Sequence, residues 1–168
     1  MIEAVIFDLD GTLIQLPIDY EKLFQEFSRI MRTPDIHPLQ QKIPELNGKT
    51  KKKIFEVWNK VELEVLANVS RKREGISIYK RFLEKPKALV TMQGKALVKG
   101  VLGRLGLSFD FVVTRECSIN RVEQLEIVAE RFAVSFKNIL FVGNIDDDFL
   151  AAKEVGCQFL RVKDEDLV

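Results

Sequence analysis

The sequence is poor in the residues on which much enzyme chemistry depends. It has one histidine and two cysteines in 168 residues, which excludes a histidine-based triad and a multi-histidine metal centre. Cys117 and Cys157 are too few for a disulfide scaffold and form no metal-type pair, so they read as free, reduced thiols. Each is followed by an arginine, Arg121 and Arg161, with only three residues between. That spacing is too short for the phosphate loop of a cysteine phosphatase. Charge of one sign is also missing. Lys and Arg number 26 against 25 Asp and Glu, a formal net charge of +1, which gives no case for a nucleic-acid partner or an anionic membrane. No apolar run approaches the ~20 residues needed to cross a bilayer. Glu3 and Asp8 interrupt the stretch where a secretory signal needs continuous apolar residues, and the expected location is the cytoplasm. The groups left for catalysis are carboxylates.

What is present is the composition of a globular protein, 46% hydrophobic and 30% charged. The length suits one domain, or one domain with a small insert, that buries about 70% of its surface on folding. Residues 4–9, AVIFDL, form a short β-branched and aromatic run that ends at the turn pair Asp10-Gly11, and predict a buried first strand. Residues 17–74 read as helical. Tyr20, Leu23, Phe24, Phe27, Ile30 and Met31 line one face of a helix, and Ile54, Trp58, Val61 and Val65 line another. Pro34, Pro38, Pro44 and Asn47-Gly48 mark a broken connection between them, with room for a helical turn. The basic run 49–53, KTKKK, reads as a solvated helix start.

From Gly75 onward helix and strand alternate. Helices are predicted over 76–84, 94–105, 121–133 and 146–155, and strands over 87–91, 109–114, 138–143 and 159–162. Five strands joined by helices imply an open parallel α/β sheet, with the block 17–74 inserted after the first strand.

Ligands in such sheets bind at the carboxyl ends of the strands. The first strand ends in Asp8-Leu9-Asp10-Gly11-Thr12, the second in Thr91, and the fourth in Gly143-Asn144-Ile145-Asp146-Asp147-Asp148. Two carboxylates two residues apart leave the strand and enter a glycine turn, so Asp8 is held rigidly and Asp10 sits on a looser connection. A polar turn with side-chain caps explains an isolated Asp-x-Asp-Gly equally well. A calcium loop does not, because its glycine belongs at position six, whereas Gly11 is fourth from Asp8.

Together these residues resemble the haloacid dehalogenase superfamily of phosphohydrolases. DLDGTL at 8–13 matches the family's first motif, Thr91 its second, and GNIDDDFLAAKEVG at 143–156 its fourth. The likeness spans nearly the whole chain. It implies a Rossmann-like (flavodoxin-like) parallel five-stranded core, residues 1–16 and 75–168, with a small helical cap, residues 17–74, like the subclass I cap of the phosphoglycolate phosphatase-like branch.

The resemblance further implies phosphoryl transfer in two steps. Asp8 is the expected nucleophile that becomes an aspartyl phosphate, and Asp10 the expected general acid and base. A Mg²⁺ ion is expected on the Asp8 carboxylate, the Asp10 backbone carbonyl and the fourth motif, at Asn144 and Asp148. Thr91 and a third-motif cation are expected to hold the phosphoryl oxygens. Two positions depart from the family pattern. Asn144 stands where an aspartate is common, leaving Asp147 or Asp148 to supply charge, although Asp146 to Asp148 also suit a helix N-terminus. The third motif usually offers a lysine, and here Arg121 is the candidate, with Arg115 the alternative. Asp10 favours phosphate esters over carbon–halogen bonds, since the dehalogenases of this superfamily usually lack the second acidic residue. The expected activity is hydrolysis of a small phosphorylated metabolite. A sugar phosphomutase, or a non-catalytic phosphate-binding or regulatory protein, stays open as the alternative. Lys22, Arg29 and Arg32 of the cap either face the substrate or face solvent.

Overall fold

The computed structural model describes residues 1–163. Its core is a five-stranded parallel sheet built from β1 (Ala4–Phe7), β4 (Lys87–Val90), β5 (Phe111–Val113), β6 (Ile139–Gly143) and β7 (Gln158–Arg161), in the order β5-β4-β1-β6-β7. Counted along the core this is 3-2-1-4-5, the Rossmann order. The flavodoxin order differs in placing the first strand second from an edge. The chain reverses direction across the sheet between β1 and β6, so the crevice of the switch point opens at their carboxyl ends. Register is set by Val5 opposite Lys87 and Leu140.

Successive residues of β1 feed different cores. Val5 and Phe7 pack with Ile76, Tyr79, Leu97 and Val101 of α4 (Arg73–Arg81) and α5 (Lys95–Leu105). Ala4 and Ile6 pack with Leu125, Val128, Ala151 and Ala152 of α6 (Arg121–Phe132) and α7 (Asp146–Val155). A strand apolar on both faces therefore lies between two helical layers, as a parallel sheet requires. The helices and strands foreseen from Gly75 onward are all present, with ends displaced by a few residues. Residues 164–168, the end of the core assigned from the sequence, lie outside the described residues.

Between β1 and α4 the chain forms α1 (Tyr20–Met31), the short α2 (Leu39–Lys42) and α3 (Gly48–Val65). Asp19 caps α1 by accepting from the Lys22 N–H at 3.1 Å, and Asn47 caps α3 by accepting from Thr50 at 2.9 Å. Their apolar stripes meet in a third core of Leu23, Phe27, Ile36, Ile43, Ile54 and Trp58, to which the sheet domain contributes Ile119. Lys49, Lys52 and Lys53 lie exposed at the start of α3.

Two features of this insert escape the sequence reading. The chain enters and leaves it through paired segments, β2 (Ile14–Gln15) and β3 (Ser70–Arg71), which run antiparallel; two residues are too few to show a period. Glu62, on α3, is fully buried and forms a two-pronged ion pair with Arg115 at 2.7 and 2.9 Å. Arg115 also donates to the Met92 carbonyl at 3.1 Å, and its guanidinium lies 4.3 Å from the Trp58 ring centroid. Among the described residues no helix is long and apolar enough to cross a membrane.

Candidate active site

The carboxyl ends of β1 and β6 converge where the sequence places its acidic motifs. Asp8 extends the β1 ladder by one bond, its N–H donating to Val142 of β6 at 2.9 Å. That bond fixes the carboxyl over the crevice. The turn that follows is compressed: Gly11 has φ +81°, and a Cβ there would stand 2.2 Å from the Asn144 side chain. Only glycine lets the first and fourth motifs approach this closely.

Asp8 is buried, and its Oδ1 accepts from Arg121 Nη2 at 3.0 Å. Thr12, fully buried, donates through its single hydroxyl proton toward either Asp8 Oδ2 at 3.3 Å or Asn144 Oδ1 at 3.2 Å. Burial pushes the Asp8 carboxyl up to about 7, against the opposing pull of Arg121 and with help from the Asp148 charge. Arg121 opens α6, where Asn120 caps the helix by accepting from the Glu123 N–H. Its Nε lies 3.0 Å from Asp148 Oδ1, so one guanidinium joins the two carboxylates. Arg121 reaches the crevice, while Arg115 is consumed by Glu62 inside the insert contact.

Asp148 sits in the first turn of α7, with its Oδ2 accepting from the N–H groups of Asn144 and Ile145 at 3.1 and 3.4 Å. A Cβ on Gly143 would fall 2.7 Å from that same oxygen, so the glycine makes the cradle in which it rests. Asp148 Oδ1 is buried and has no hydrogen-bond partner, because the Arg121 N–H direction misses it despite the short ion-pair distance. Asp146 and Asp147 are exposed, and Asp146 pairs with Arg161 at 2.9 Å.

Asp10 is gripped differently. Its Oδ1 accepts from the Leu16 N–H at 2.9 Å and its Oδ2 from the Tyr20 hydroxyl at 2.8 Å. Burial raises its carboxyl above the ordinary range, and these two bonds work against the rise. Tyr20 in turn accepts from Gln93 Nε2 at 3.3 Å. The sequence reading placed Tyr20 on an apolar stripe and did not select Gln93. A tyrosine at the first position of a helix that follows the acidic turn was the available signal.

Thr91 differs from expectation. Its hydroxyl is fully buried and donates to Gln93 Oε1 at 2.6 Å. Its carbonyl accepts from Gln124 at 2.8 Å. It stands behind Gln93, which lines the cleft in its place. That cleft, about 370 Å³, is bounded by Asp8, Asp10, Tyr20, Gln93, Arg121 and Asn144. Lys22, Arg29 and Arg32 are exposed and lie outside it, and Arg29 pairs with Glu26.

No family model matches the sequence. A protein of Clostridium perfringens with the provisional name pyrophosphatase PpaX is 28% identical, over 97% of this chain and 85% of the relative. Among solved structures, a haloacid dehalogenase-superfamily hydrolase of subfamily IA from Geobacter sulfurreducens superposes with a TM-score of 0.65 at 21% identity, covering 96% of this chain and 89% of its own. A haloacid dehalogenase-family enzyme from Bacteroides thetaiotaomicron, solved in complex with magnesium and inorganic phosphate, gives 0.61 at 18% identity over 99% and 98%. The Rossmann-like fold is that of these hydrolases.

Proposed function

We infer that this protein, which has the fold of the haloacid dehalogenase-superfamily hydrolases and their motif residues at the ends of its strands, is a Mg²⁺-dependent phosphatase. It acts on the phosphate monoester of a small metabolite, with Asp8 as nucleophile. The observation that carries this reading is the pairing of two carboxylates in different states of restraint: Asp8 bridged by Arg121 to Asp148, and Asp10 held apart on Leu16 and Tyr20.

The residues present suit Mg²⁺. Mg²⁺ binds through one or two carboxylates, waters and substrate phosphate rather than a full protein cage. The donor set is of that kind, namely the Asp8 carboxylate, the Asp10 backbone carbonyl, the Asn144 amide oxygen and Asp148. Among the described residues no three His, Cys, Asp or Glu side chains are grouped closely enough to hold a metal by themselves, at this site or elsewhere, so the ion would depend on the backbone carbonyl, the amide oxygen and waters as well. Asp148 Oδ1 is buried without a hydrogen-bond donor and has the Arg121 charge 3.0 Å away, so a lone pair there is available to a cation that shares it with the guanidinium. When bound, the ion polarises the phosphoryl group and offsets its developing charge.

The protein's own groups supply the rest. An Asp8 carboxylate oxygen forms a bond to phosphorus as the bond to the leaving oxygen breaks, and Asp10 gives that oxygen its proton. Burial favours the protonated Asp10 that this step needs. Asp10 then takes a proton from water as the water oxygen attacks the same phosphorus, which frees Asp8 and inorganic phosphate. Arg121 keeps a positive charge beside the phosphoryl group throughout, from the guanidinium that bridges Asp8 and Asp148. Tyr20 and Leu16 hold Asp10 so that one carboxyl serves both halves of the cycle.

Hydrolysis of p-nitrophenyl phosphate by wild type and Asp8→Asn, with and without Mg²⁺, tests this. Activity is expected only with the metal, and to fall by ~10³-fold or more in the variant. A folded wild type that binds phosphate but turns over no monoester would return the protein to the non-catalytic alternative.

A further inference from the structure

The catalytic cleft continues into a second cavity of about 450 Å³ that lies between insert and core. The two share Tyr20, Met92, Arg121 and Ile145, so they adjoin, and the leaving group of a phosphate held at Asp8 would have room to extend from one into the other. The walls of the second part are rings and hydrocarbon. Phe24 stands edge-on to His37 with ring centroids 4.8 Å apart and is tilted against Tyr20 at 5.8 Å. Trp58, Leu39 and Ile119 complete the lining. The Trp58 indole N–H is buried without a hydrogen-bond partner, which leaves one donor among the rings.

The charges matter as much as the rings. Among the described residues that line either cavity Arg121 is the only lysine or arginine, and Asp8 and Asp148 already engage it. The remaining charged liner beyond the catalytic carboxylates is Asp147, an exposed anion. A substrate with a second anionic group, a carboxylate or a further phosphate, would bring it into an apolar wall beside a like charge, with no cation to pair it. A planar ring would instead stack or meet edges with Tyr20, Phe24 and Trp58 and contact the Met92 thioether.

We propose that the substrate is the phosphate monoester of a neutral aromatic alcohol, its ring seated between Phe24, Trp58 and Met92. This deepens the phosphatase reading and rests on it. It sets the protein apart from enzymes for phosphoglycolate, sugar bisphosphates or pyrophosphate, all of which present a second anion.

Turnover and binding test the two readings separately. Phenyl phosphate is expected to have kcat/KM at least tenfold above phosphoglycolate, ribose 5-phosphate and pyrophosphate. Phe24→Lys is expected to lower the phenyl phosphate value about tenfold while raising that for phosphoglycolate. Leu39→Arg, at a second half-buried wall position, serves if Phe24→Lys does not fold. The sequence has one tryptophan, so Trp58 fluorescence reports occupancy directly. Benzylphosphonate should quench it at least tenfold more tightly than phosphonoacetate, in wild type and in Asp8→Asn alike. Turnover that favours phosphoglycolate or pyrophosphate overturns the aromatic assignment and keeps the phosphatase. Tight benzylphosphonate binding with no turnover of any ester overturns the phosphatase and keeps the aromatic site. Equal binding of the two phosphonates overturns the site whatever the turnover.

Discussion

Asp8 occupies a position that its own ionisation opposes. Unfolded, its carboxyl titrates near 3.8, whereas in the folded protein burial lifts it to about 7. Between those values the folded state holds a proton that the unfolded chain has released. The stability contributed by this group is therefore complete below about 3.8 and lost as pH rises through 7. Asp8→Asn is expected to raise the Tm of the metal-free protein by a few degrees at pH 8 and by much less at pH 5, as calorimetry at the two pH values would read. An equal shift at both would sink the assignment. Asp10 gives the complementary case. Its hydroxyl donor, Tyr20, favours the ionised carboxyl, so Tyr20→Phe should move the pH limb that reports Asp10 upward and cut kcat by about tenfold with KM less affected. An unchanged pH profile would show that Tyr20 packs rather than positions. At this scale the sequence was most legible where chemistry demands a residue at a strand end: Asp8, Asp10, Arg121, Asn144 and Asp148 all meet in one crevice. Thr91 was legible as a position but not as a contact. Whether its hydroxyl faces the cleft or Gln93 is decided by one rotamer that no spacing encodes.

Among the elements, α3 departs furthest from its pattern. Its stripe of Ile54, Trp58 and Val61 was readable as an apolar face, yet the residue that attaches the helix to the core is Glu62, which a charge-versus-apolar reading assigns to solvent. The partner, Arg115, is 53 residues away, and neither charge reveals the other without the fold. Both side chains are fully buried, and Glu62 also accepts from the Gly94 N–H at 3.1 Å, which ties α3 to the loop after β4. Removing one partner strands the other charge. Glu62→Leu is expected to cost about 3–5 kcal/mol, measured by urea unfolding, whereas the double variant Glu62→Leu/Arg115→Met should recover a large part of it. If the double variant is as unstable as the sum of the single ones, the pair is not acting as a unit. The antiparallel β2–β3 pairing belongs here too, since it is a tertiary consequence of an insert whose entry and exit points lie side by side.

Across the whole molecule, the proposed metal site lies where several pieces of the chain meet: the turn after β1, the start of α6, the start of α7 and, through Tyr20 and Asp10, the insert. A ligand that binds only the assembled arrangement stabilises it by mass action, about 2.7 kcal/mol at a hundredfold excess over Kd, which in a chain of this size is roughly 5–10 °C in Tm. Mg²⁺ requires the Asp8 carboxylate deprotonated, so its effect should be larger at pH 8, where the metal-free protein is weakest, than at pH 5. The variants separate binding from chemistry. Asp148→Asn removes one of two charged donors and should abolish most of the Mg²⁺ shift. Asp10→Asn keeps the backbone carbonyl proposed as a donor and should retain the shift while losing turnover. A Mg²⁺-induced rise that survives Asp148→Asn but disappears in Asp10→Asn would place the ion on the acid–base side of the cleft instead, and Arg121 would then be the permanent partner of Asp8 and Asp148 rather than one that yields part of its hold when the metal enters.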